Sequence, residues 1–336
     1  MKKSILITGG AGFIGSHLLR LLVNEYPETN FVNFDSLTYA GDLKRIDDIS
    51  NQPNYNFVHG DIRDLSLLKI LFEKYNFDSV IHLAAESHVD QSIINPFSFA
   101  QTNVLGTLNL LEIAKEFWSK NFNDKLFYHI STDEVYGSLR EEGSFKEIDP
   151  YKPRSPYSAS KASSDHFVNS YFHTYGLPII ISNSSNNYGP DQDYEKLIPL
   201  VIKNIFEKKS IPIYGKGENI RDWVYVGDHV RAIELIFKNG RIGENYNIGG
   251  QNEIRNIDLV NQIIKICDKL LDRPENSSLR FIKFVQDRKG HDYRYSVDFS
   301  KLNNEFGWNP MKNFNEGLQE TIKSYIDKLK TIKNEF

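Results

Sequence analysis

The sequence predicts an α/β protein built on a doubly wound parallel sheet, with a smaller C-terminal α/β lobe. Short apolar runs alternate with helical stretches through the first half of the chain, as in strands joined by crossover helices. Runs such as Ile5–Ile7 and Ile179–Ile181 are apolar at every position, which is typical of strands covered on both faces. A glycine-rich turn, Gly9–Gly15, joins the first run to the first helix.

The regular alternation occupies the first half of the chain. The predicted strands lie at Ser4–Thr8, Phe31–Phe34, Asn56–Val58, Ser79–Leu83, Leu126–Ser131 and Pro178–Ser182. The predicted helices lie at about Phe13–Glu25, Leu65–Lys74, Pro96–Lys120 and Tyr157–Tyr175. A helical crossover returns the chain to the end of the sheet at which the previous strand began. The next strand therefore runs in the same direction, so these strands are expected to be parallel.

The rhythm loosens after about Asn183. Helices are predicted at Leu197–Glu207, His229–Phe237, Asp258–Leu271 and Asn315–Lys330, and short strands at Ile211–Tyr214 and Asp222–Val226. A length of 336 residues favours two domains. We therefore expect one domain over 1–185 and a second over 186–336, with segments of the second half able to return to the first.

Composition excludes several classes of protein. The 40 basic and 44 acidic residues give a formal charge of -4, without the basic excess of a nucleic-acid binder or the polybasic patch of a membrane-surface protein. No apolar run approaches the length of a membrane span, and the run after Lys2 and Lys3 ends at Ile7, too short for a signal peptide. A single cysteine, Cys267, forms no intrachain disulfide. We therefore expect a cytoplasmic protein.

The glycine turn predicts a dinucleotide site of the Rossmann type. It fits Gly-x-Gly-x-x-Gly from Gly10 and Gly-x-x-Gly-x-x-Gly from Gly9, between a strand and a helix. Such a turn lets a pyrophosphate approach the backbone at a helix N-terminus. Asp35 ends the second strand, where a carboxylate binds ribose hydroxyls and repels a 2′-phosphate, which favours NAD over NADP. The alternative is a structural glycine turn with an Asp capping a strand.

Two further segments suit the same site. Asp61 follows the third strand, where it could contact adenine or instead cap the helix that begins near Leu65. Small residues in Leu83–Ala85 follow the fourth strand, at a position where a cofactor would lie against backbone. Both segments stand at carboxyl ends of predicted strands, where open α/β sheets bind ligands.

Tyr157 and Lys161 form a candidate catalytic pair. Their spacing of i and i+4 places them on one face of a helix. A nearby ammonium lowers the pKa of a tyrosine, which could then take a proton from a hydroxyl while hydride leaves the same carbon. The alternative is an ordinary pair on a surface helix.

Asp133 and Glu134 directly follow the fifth strand. Oxidation of one sugar carbon acidifies the neighbouring C–H bond, so one carboxylate could remove that proton while a protonated carboxyl group donates to a departing hydroxyl. Two close acids push one pKa upward, which suits this division of roles. The alternative is an Asp-Glu pair that caps a helix.

The glycine turn, Asp35 and the Tyr157/Lys161 pair together resemble the extended short-chain dehydrogenase/reductases. The segment Ser131–Gly137 is more specific, and with it the chain is similar to the dTDP-glucose 4,6-dehydratases over almost its whole length. Other segments that carry this resemblance are Phe34–Gly41, His82–Asp90, Ser185–Pro190, Glu195–Pro199, Arg221–Trp223, Tyr246–Gly250 and Asp287–Asp292.

The resemblance implies a lyase that converts dTDP-glucose to dTDP-4-keto-6-deoxyglucose with NAD. The sugar would be oxidised at carbon 4, lose water across carbons 5 and 6, and receive the hydride at carbon 6. By this resemblance Thr132 orients the sugar, Asp133 is the general acid, Glu134 the base at carbon 5, Tyr157 the base at carbon 4, and Lys161 its tuner and a ribose ligand.

The resemblance also implies binding residues for each ligand. NAD would contact Gly9, Gly12, Phe13, Ile14, Gly15, Asp35, Ser36, Leu37, Thr38, Asp61, Ile62, Leu83, Ala84, Ala85, Thr102, Tyr157, Lys161 and Asn187. The sugar nucleotide would contact Ser87, Thr132, Asn186, Lys196, Leu197, Pro212, Ile213, Tyr214, Arg221, Asn256, Asp287, Arg288, Lys289, Gly290 and His291. Residues 1–185 would then bind NAD and 186–336 mainly the sugar nucleotide.

Four of these side chains, Lys196, Arg221, Arg288 and His291, could pair with a diphosphate, or each could be a solvated surface charge. The chain departs from the family on this side. Lys289 stands where the family has proline, and the segment after Pro190 lacks the usual aromatic residue. These departures concern the nucleotide more than the chemistry.

Several alternatives share the scaffold. A UDP-glucose 4,6-dehydratase keeps the same acid pair, a 4-epimerase needs none, and the UDP-glucuronate decarboxylases carry serine where Asp133 stands. A non-enzymatic module that senses NAD is the alternative from another class.

The nine histidines show no metal-binding pattern, so we expect no catalytic metal. The resemblance implies a homodimer built on Pro96–Lys120 and Tyr157–Tyr175, whose alternative is a pair of core helices in a monomer.

Overall fold

The structure, a computed structural model, describes residues 3–334. Its strands are β1 (Ser4–Thr8), β2 (Asn30–Asp35), β3 (Tyr55–His59), β4 (Ser79–His82), β5 (Leu126–Thr132), β6 (Ile179–Ser184), β7 (Asn186–Tyr188), β8 (Ile211–Tyr214), β9 (Ile220–Tyr225), β10 (Asn245–Ile248), β11 (Glu253–Arg255) and β12 (Ile282–Val285). Seven of them form one parallel sheet in the order β10–β6–β5–β4–β1–β2–β3. The predicted parallel sheet is confirmed.

Helices cover both faces of this sheet. They are α1 (Phe13–Glu25), α2 (Leu65–Tyr75), α3 (Val89–Ile94), α4 (Pro96–Phe99), α5 (Thr107–Trp118), α6 (Pro156–Tyr175), α7 (Leu197–Glu207), α8 (Val226–Asn239), α9 (Asn256–Leu270), α10 (Ser300–Phe306) and α11 (Phe314–Asn334). Apolar residues of α1 and α8 pack on one face and those of α2, α5 and α6 on the other. This is the doubly wound arrangement that the all-apolar strands predict.

A smaller lobe follows β6. Its strands pair as β11–β9–β7 and, in parallel, as β12–β8. Its core is formed by α7, α9 and α11, which bury apolar residues such as Ile202, Ile263 and Ile322. This lobe lies over the carboxyl end of the large sheet, because β6 runs almost directly into β7.

The predicted helix at Pro96–Lys120 is less regular than expected. It comprises α4, a π-helical segment at Ala100–Gly106, and α5. The hydroxyls of Thr107 and Ser164 both donate to the Asn103 carbonyl, at 2.6 and 2.8 Å, and so draw it from the regular helical ladder. Such π segments often occur at functional sites, and Thr102 within this one faces the cavity described below.

The second half of the chain contributes to the first sheet. Strand β10, which the periodicity does not predict, pairs with β6, and α8 packs against α1. The division at residue 185 stays a prediction. No helix within residues 3–334 is long and apolar enough to cross a membrane.

Candidate active site

A cavity of about 500 Å³ lies at the carboxyl ends of the parallel strands, beneath the smaller lobe. Residues that directly follow β1, β4 and β6 line it, as do the last residues of β2 and β5. Elements of the smaller lobe, including β8 and β9, complete the wall. This is the position at which open α/β sheets bind ligands.

The glycine turn forms one end of the cavity. Gly9 has a φ of +74°, and a Cβ at Gly15 would lie 2.2 Å from the Gly9 carbonyl oxygen, so both positions require glycine. Helix α1 follows with no side-chain cap and no acid in its first turn. Its amides therefore remain available to an anion, which fits the pyrophosphate of a dinucleotide.

Asp35 is fixed beside this turn. Its Oδ2 accepts from the Ala11 amide at 2.9 Å, and its Oδ1 accepts from the Leu37 amide at 2.8 Å. The carboxylate lines the cavity and keeps further lone pairs for a ribose hydroxyl. The turn, the uncapped helix and this carboxylate together fit NAD.

Asp61 does not cap the following helix. Asp64 does so, by accepting from the Leu67 amide at 3.0 Å, so the capping alternative for Asp61 is wrong. Asp61 instead lines the cavity, and its ion pair with Arg63 lowers the pKa of its carboxyl.

Nearly all the predicted cofactor residues share this cavity. The wall contains Gly9, Gly12, Phe13, Ile14, Gly15, Asp35, Ser36, Thr38, Asp61, Ile62, Leu83, Ala84, Ala85, Thr102, Tyr157, Lys161 and Asn187. Leu37 is the exception. It has a φ of +49° and its amide turns back to Asp35, which leaves its side chain outside the wall.

Most of the predicted catalytic residues share this cavity. Thr132, Glu134, Tyr157 and Lys161 line the wall, but Asp133 does not. Asp133 is 2% exposed, and its Oδ1 accepts from the Thr132 hydroxyl at 3.4 Å. It therefore lies behind the wall, one hydrogen bond from a residue that faces the cavity.

Burial governs the protonation of both acids. It raises the pKa of Asp133 well above its ordinary value, and the neighbouring charges of Glu134 and Asp222 raise it further. Among the residues that the structure describes, none forms a hydrogen bond with the Asp133 Oδ2. Burial also raises the pKa of Glu134, but there a hydrogen bond from Ser158 opposes it. Asp133 is thus the stronger candidate for a carboxyl group that holds its proton.

Glu134 is positioned by the first turn of α6. Ser155 caps this helix by accepting from the Ser158 amide at 3.0 Å, and the Ser158 hydroxyl donates to Glu134 Oε2 at 3.0 Å. Ser158 lies between Tyr157 and Lys161 in the chain, and the sequence pattern alone indicates no role for it. The available signal was the Ser-Pro pair at Ser155 and Pro156, which marks a helix start and hence the orientation of this turn.

The pKa of Tyr157 differs from the expectation. Burial raises it above the ordinary tyrosine value, and the charge of Glu134 raises it further. Lys161 does not reverse this, because its Nζ donates to the Ile130 carbonyl at 2.9 Å and burial lowers its own pKa to about 8. In the protein alone the net effect is therefore opposite to the predicted one.

Most predicted substrate residues also line the cavity: Ser87, Thr132, Asn186, Lys196, Leu197, Pro212, Ile213, Tyr214, Arg221, Asn256, Arg288, Gly290 and His291. Asp287 and Lys289 do not. Both are exposed, and Asp287 accepts from His291 Nδ1 at 2.7 Å, so it orients a wall residue from outside. The segment around Lys289 thus turns two of its predicted residues away from the cavity.

The cationic side chains of the wall have distinct settings. Arg221 is buried, donates to the Asp292 carbonyl at 3.0 Å and stacks over the Tyr295 ring, so the surface-charge alternative is wrong for it. Lys196 donates to the Ser87 carbonyl at 3.0 Å and pairs with Glu195.

Arg288 forms a two-pronged ion pair with Asp90, at 2.6 and 2.8 Å, and the Tyr214 hydroxyl donates to the same carboxylate at 3.1 Å. The sequence indicates no role for Asp90, because its partner Arg288 lies far along the chain. Within residues 3–334, no group of three or more His, Cys, Asp or Glu side chains could hold a metal ion.

Comparisons with known proteins agree with this geometry. The family model described as GDP-mannose 4,6 dehydratase matches residues 6–321. The dTDP-glucose 4,6-dehydratase of Salmonella typhimurium is 50% identical, covering 98% of this chain and 94% of its own. That of Haemophilus influenzae is 49% identical, covering 96% and 98%. The crystal structure of a dTDP-glucose 4,6-dehydratase from Streptomyces venezuelae with NAD bound is 43% identical, covers 98% of each chain and has a TM-score of 0.89.

Proposed function

The chain belongs to the family that the GDP-mannose 4,6 dehydratase model describes, and we propose that it is a dTDP-glucose 4,6-dehydratase. The observation that carries this proposal is the meeting of Tyr157, Glu134 and Thr132 on one wall, with Asp133 directly behind it. That set can remove one proton from oxygen and one from carbon, and can protonate a leaving hydroxyl. Bound NAD would supply the acceptor and donor of hydride.

In the first step Tyr157 takes the proton of the hydroxyl on carbon 4. Burial makes its phenol a weak acid in the protein alone, so positive charge near the ring is needed to favour the phenolate. Lys161 supplies such a charge from one helical turn away on α6. Thr132 orients the sugar and the developing carbonyl at this carbon.

In the second step Glu134 removes the proton from carbon 5, which the new ketone has acidified. The Ser158 hydrogen bond favours the ionised form that a base requires. Asp133 then gives its proton to the hydroxyl that leaves carbon 6 as water. Its buried, protonated carboxyl group fits that role, and Thr132 lies between it and the cavity.

The choice of nucleotide rests on the relatives. The curated relatives at 49% and 50% identity carry the name dTDP-glucose 4,6-dehydratase, whereas the family model carries the name of a GDP-mannose enzyme. The acid pair argues against a 4-epimerase, although the UDP-glucose 4-epimerase of Thermotoga maritima shares the fold at 28% identity and a TM-score of 0.84. Asp133 argues against a decarboxylase.

A side-by-side assay tests the proposal. The purified protein, with no NAD added, is incubated with dTDP-glucose, UDP-glucose or GDP-mannose, and the products are identified by NMR. We expect a 4-keto-6-deoxy sugar, with the highest kcat/KM on dTDP-glucose. Epimerisation at carbon 4 without loss of water would overturn the proposal, as would bound NAD with no turnover of any of the three.

Three further proposals accompany this function. Residues 1–185 bind mainly NAD and 186–336 mainly the sugar nucleotide, with β10 and α8 returning to the first lobe. Two copies associate through α6 and the helices of residues 96–118. The enzyme works in the cytoplasm, which the single buried thiol of Cys267 supports and which cell fractionation would test.

A further inference from the structure

Lys161 is held by a buried polar cluster that the proposed reaction does not use. The Lys161 Nζ lies 3.4 Å from His129 Nε2. His129 Nε2 in turn lies 3.2 Å from Asp165 Oδ1. All three side chains are buried, and Asp165 is 0% exposed. One edge of the imidazole therefore touches both the ammonium and the carboxylate.

The carboxylate itself is firmly placed. Its Oδ2 accepts from the Ser131 hydroxyl at 2.8 Å and from the Asn183 amide at 3.3 Å. Its Oδ1 and the His129 Nδ1 accept or donate no well-aligned hydrogen bond within residues 3–334. A buried polar atom without a hydrogen bond lowers the stability of the fold, so its presence in a protein often reflects a functional role.

We propose that Asp165, through the charge of its carboxylate, is a positioning residue that keeps Lys161 protonated and fixed on the helical face it shares with Tyr157. This inference rests on the proposed function, in which the Lys161 ammonium supports the Tyr157 phenolate. Neither Asp165 nor His129 lines the cavity, so neither contacts the substrate there.

The physical reason is the cost of an isolated buried charge. An ammonium removed from water tends to lose its proton unless an opposite charge lies near. Burial lowers the pKa of Lys161 to about 8, and Asp165 opposes that change. Without the carboxylate, the pKa of Lys161 would fall further, and a larger fraction of the side chain would be neutral near pH 7.

The other groups that face this cluster do not titrate near pH 8. Burial lowers the pKa of His129 to about 4 and that of His82 well below its ordinary value, so both imidazoles stay neutral. Burial raises the pKa of Tyr151, which faces Asp165, and of Tyr157, so both phenols keep their protons. A titration observed there can be assigned to Lys161.

Asp165→Asn tests the proposal because it removes the charge and keeps the shape. Without its counter-charge, Lys161 is expected to lose its proton at a pH lower by about one unit or more. The alkaline limb of the kcat profile should move to lower pH by the same amount, while KM for the sugar nucleotide stays within about twofold. The matched control is Asp268→Asn, which removes another fully buried carboxylate, one bonded to Ser278 in the smaller lobe.

The pKa of Lys161 can be measured without substrate. Protein labelled with ¹³C at the lysine Cε positions is titrated by NMR, and the Lys161 signal is assigned by its loss in Lys161→Met. This readout stays valid even if dTDP-glucose is not the substrate, so its failure and that of the proposed function are distinguishable.

We expect the lower Lys161 pKa in Asp165→Asn and the wild-type value in Asp268→Asn. If Asp165→Asn does not fold, Asp165→Ser decides, because it also removes the charge and should shift the titration in the same direction. An unchanged Lys161 pKa in the folded variants would overturn the proposal.

Discussion

Asp133 and Glu134 are neighbours in sequence but occupy different environments. Asp133 is enclosed behind the wall, and one of its carboxyl oxygens has no hydrogen-bond partner in the described part of the chain, whereas Glu134 faces the cavity and accepts a hydrogen bond. Because the environments differ, the first acid holds its proton more strongly than the second. An acid and a base can therefore coexist at one pH.

Asp133→Asn tests the general-acid role. The amide keeps the size of the side chain but cannot protonate the leaving hydroxyl. We expect oxidation of the sugar to continue, with reduced nicotinamide accumulating, while elimination slows roughly 100- to 10,000-fold. Rapid-quench mass spectrometry with stopped-flow absorbance separates the two steps. Full turnover in this variant would show that Asp133 is not the acid.

The sequence predicts the reacting groups better than their protonation. Tyr157 with Lys161, and Asp133 with Glu134, are recognisable because each pair is local in the chain. The pKa of Asp133 depends also on Asp222, which arrives from β9 of the other lobe. Such long-range neighbours, like the Asp90 partner of Arg288, follow only from the packed structure.

At the scale of elements, the first turn of α6 positions Glu134, the proposed base. Ser155 caps the helix, Ser158 reaches Glu134, and Tyr157 stands between them in the chain, so one helix turn aligns two catalytic groups. The helix thus couples local capping chemistry to the geometry of the site.

Ser158→Ala tests this coupling. The pKa of Glu134 should rise, because the hydrogen bond from Ser158 lowers it. A base with a raised pKa is ionised only at higher pH, so the acid limb of the elimination rate should move upward, with a loss of about tenfold at pH 6. Ser170→Ala, on the exposed part of the same helix, should leave the profile unchanged. An unshifted limb in Ser158→Ala would contradict the coupling.

A second contact, made by Arg45, joins the two lobes beside the glycine turn. Arg45 donates to the Ala11 carbonyl at 3.2 Å, within the glycine turn, and pairs with Asp193 at 2.6 Å. Asp193 lies in the segment after Pro190, where the chain departs from its family, and it lines the cavity. Arg45 therefore links the segment after Pro190 to the glycine turn, for which we propose pyrophosphate binding.

Asp193→Asn should weaken this contact, because it removes the charge that pairs with Arg45. A partly buried ion pair of about 1 kcal/mol corresponds to roughly fivefold faster release of NAD. Release can be followed by the loss of bound nucleotide on rapid gel filtration. Asp48→Asn removes a more exposed partner of Arg20 and serves as the control. Equal release rates in the two variants would show that the Arg45 pair does not retain the cofactor.

Irregular elements were the hardest to predict. The strands and helices with strong periodicity, such as β1, α1 and α7, have the predicted bounds. The π segment at Ala100–Gly106 depends on hydroxyls from two helices, and β10 is a short strand placed by its partner β6. Neither element has a local sequence signal, because contacts with other parts of the chain determine the conformation of both.

At the scale of the whole molecule, one helical surface stays open in the single chain. Phe97 and Leu105 are exposed on the helices proposed to associate, as is Phe167 on α6. Large exposed apolar groups on neighbouring helices are typical of an interface between copies.

Phe97→Asp tests this association. A charge placed in an apolar interface should yield a monomer at micromolar concentration, measured by sedimentation, from a wild type that is a dimer. Ile148→Asp alters an apolar residue that is also highly exposed but lies outside the helices proposed to associate, and this variant should remain dimeric. A monomeric wild type would contradict the proposal.

We propose that oxidation, elimination and reduction act on the same hexose in one cavity. The most direct measurement follows a deuterium placed at carbon 4 of dTDP-glucose, with the product analysed by NMR and mass spectrometry. We predict that the label arrives at carbon 6 of the 4-keto-6-deoxy product within the same molecule. Label lost to solvent, or retained at carbon 4, would contradict it.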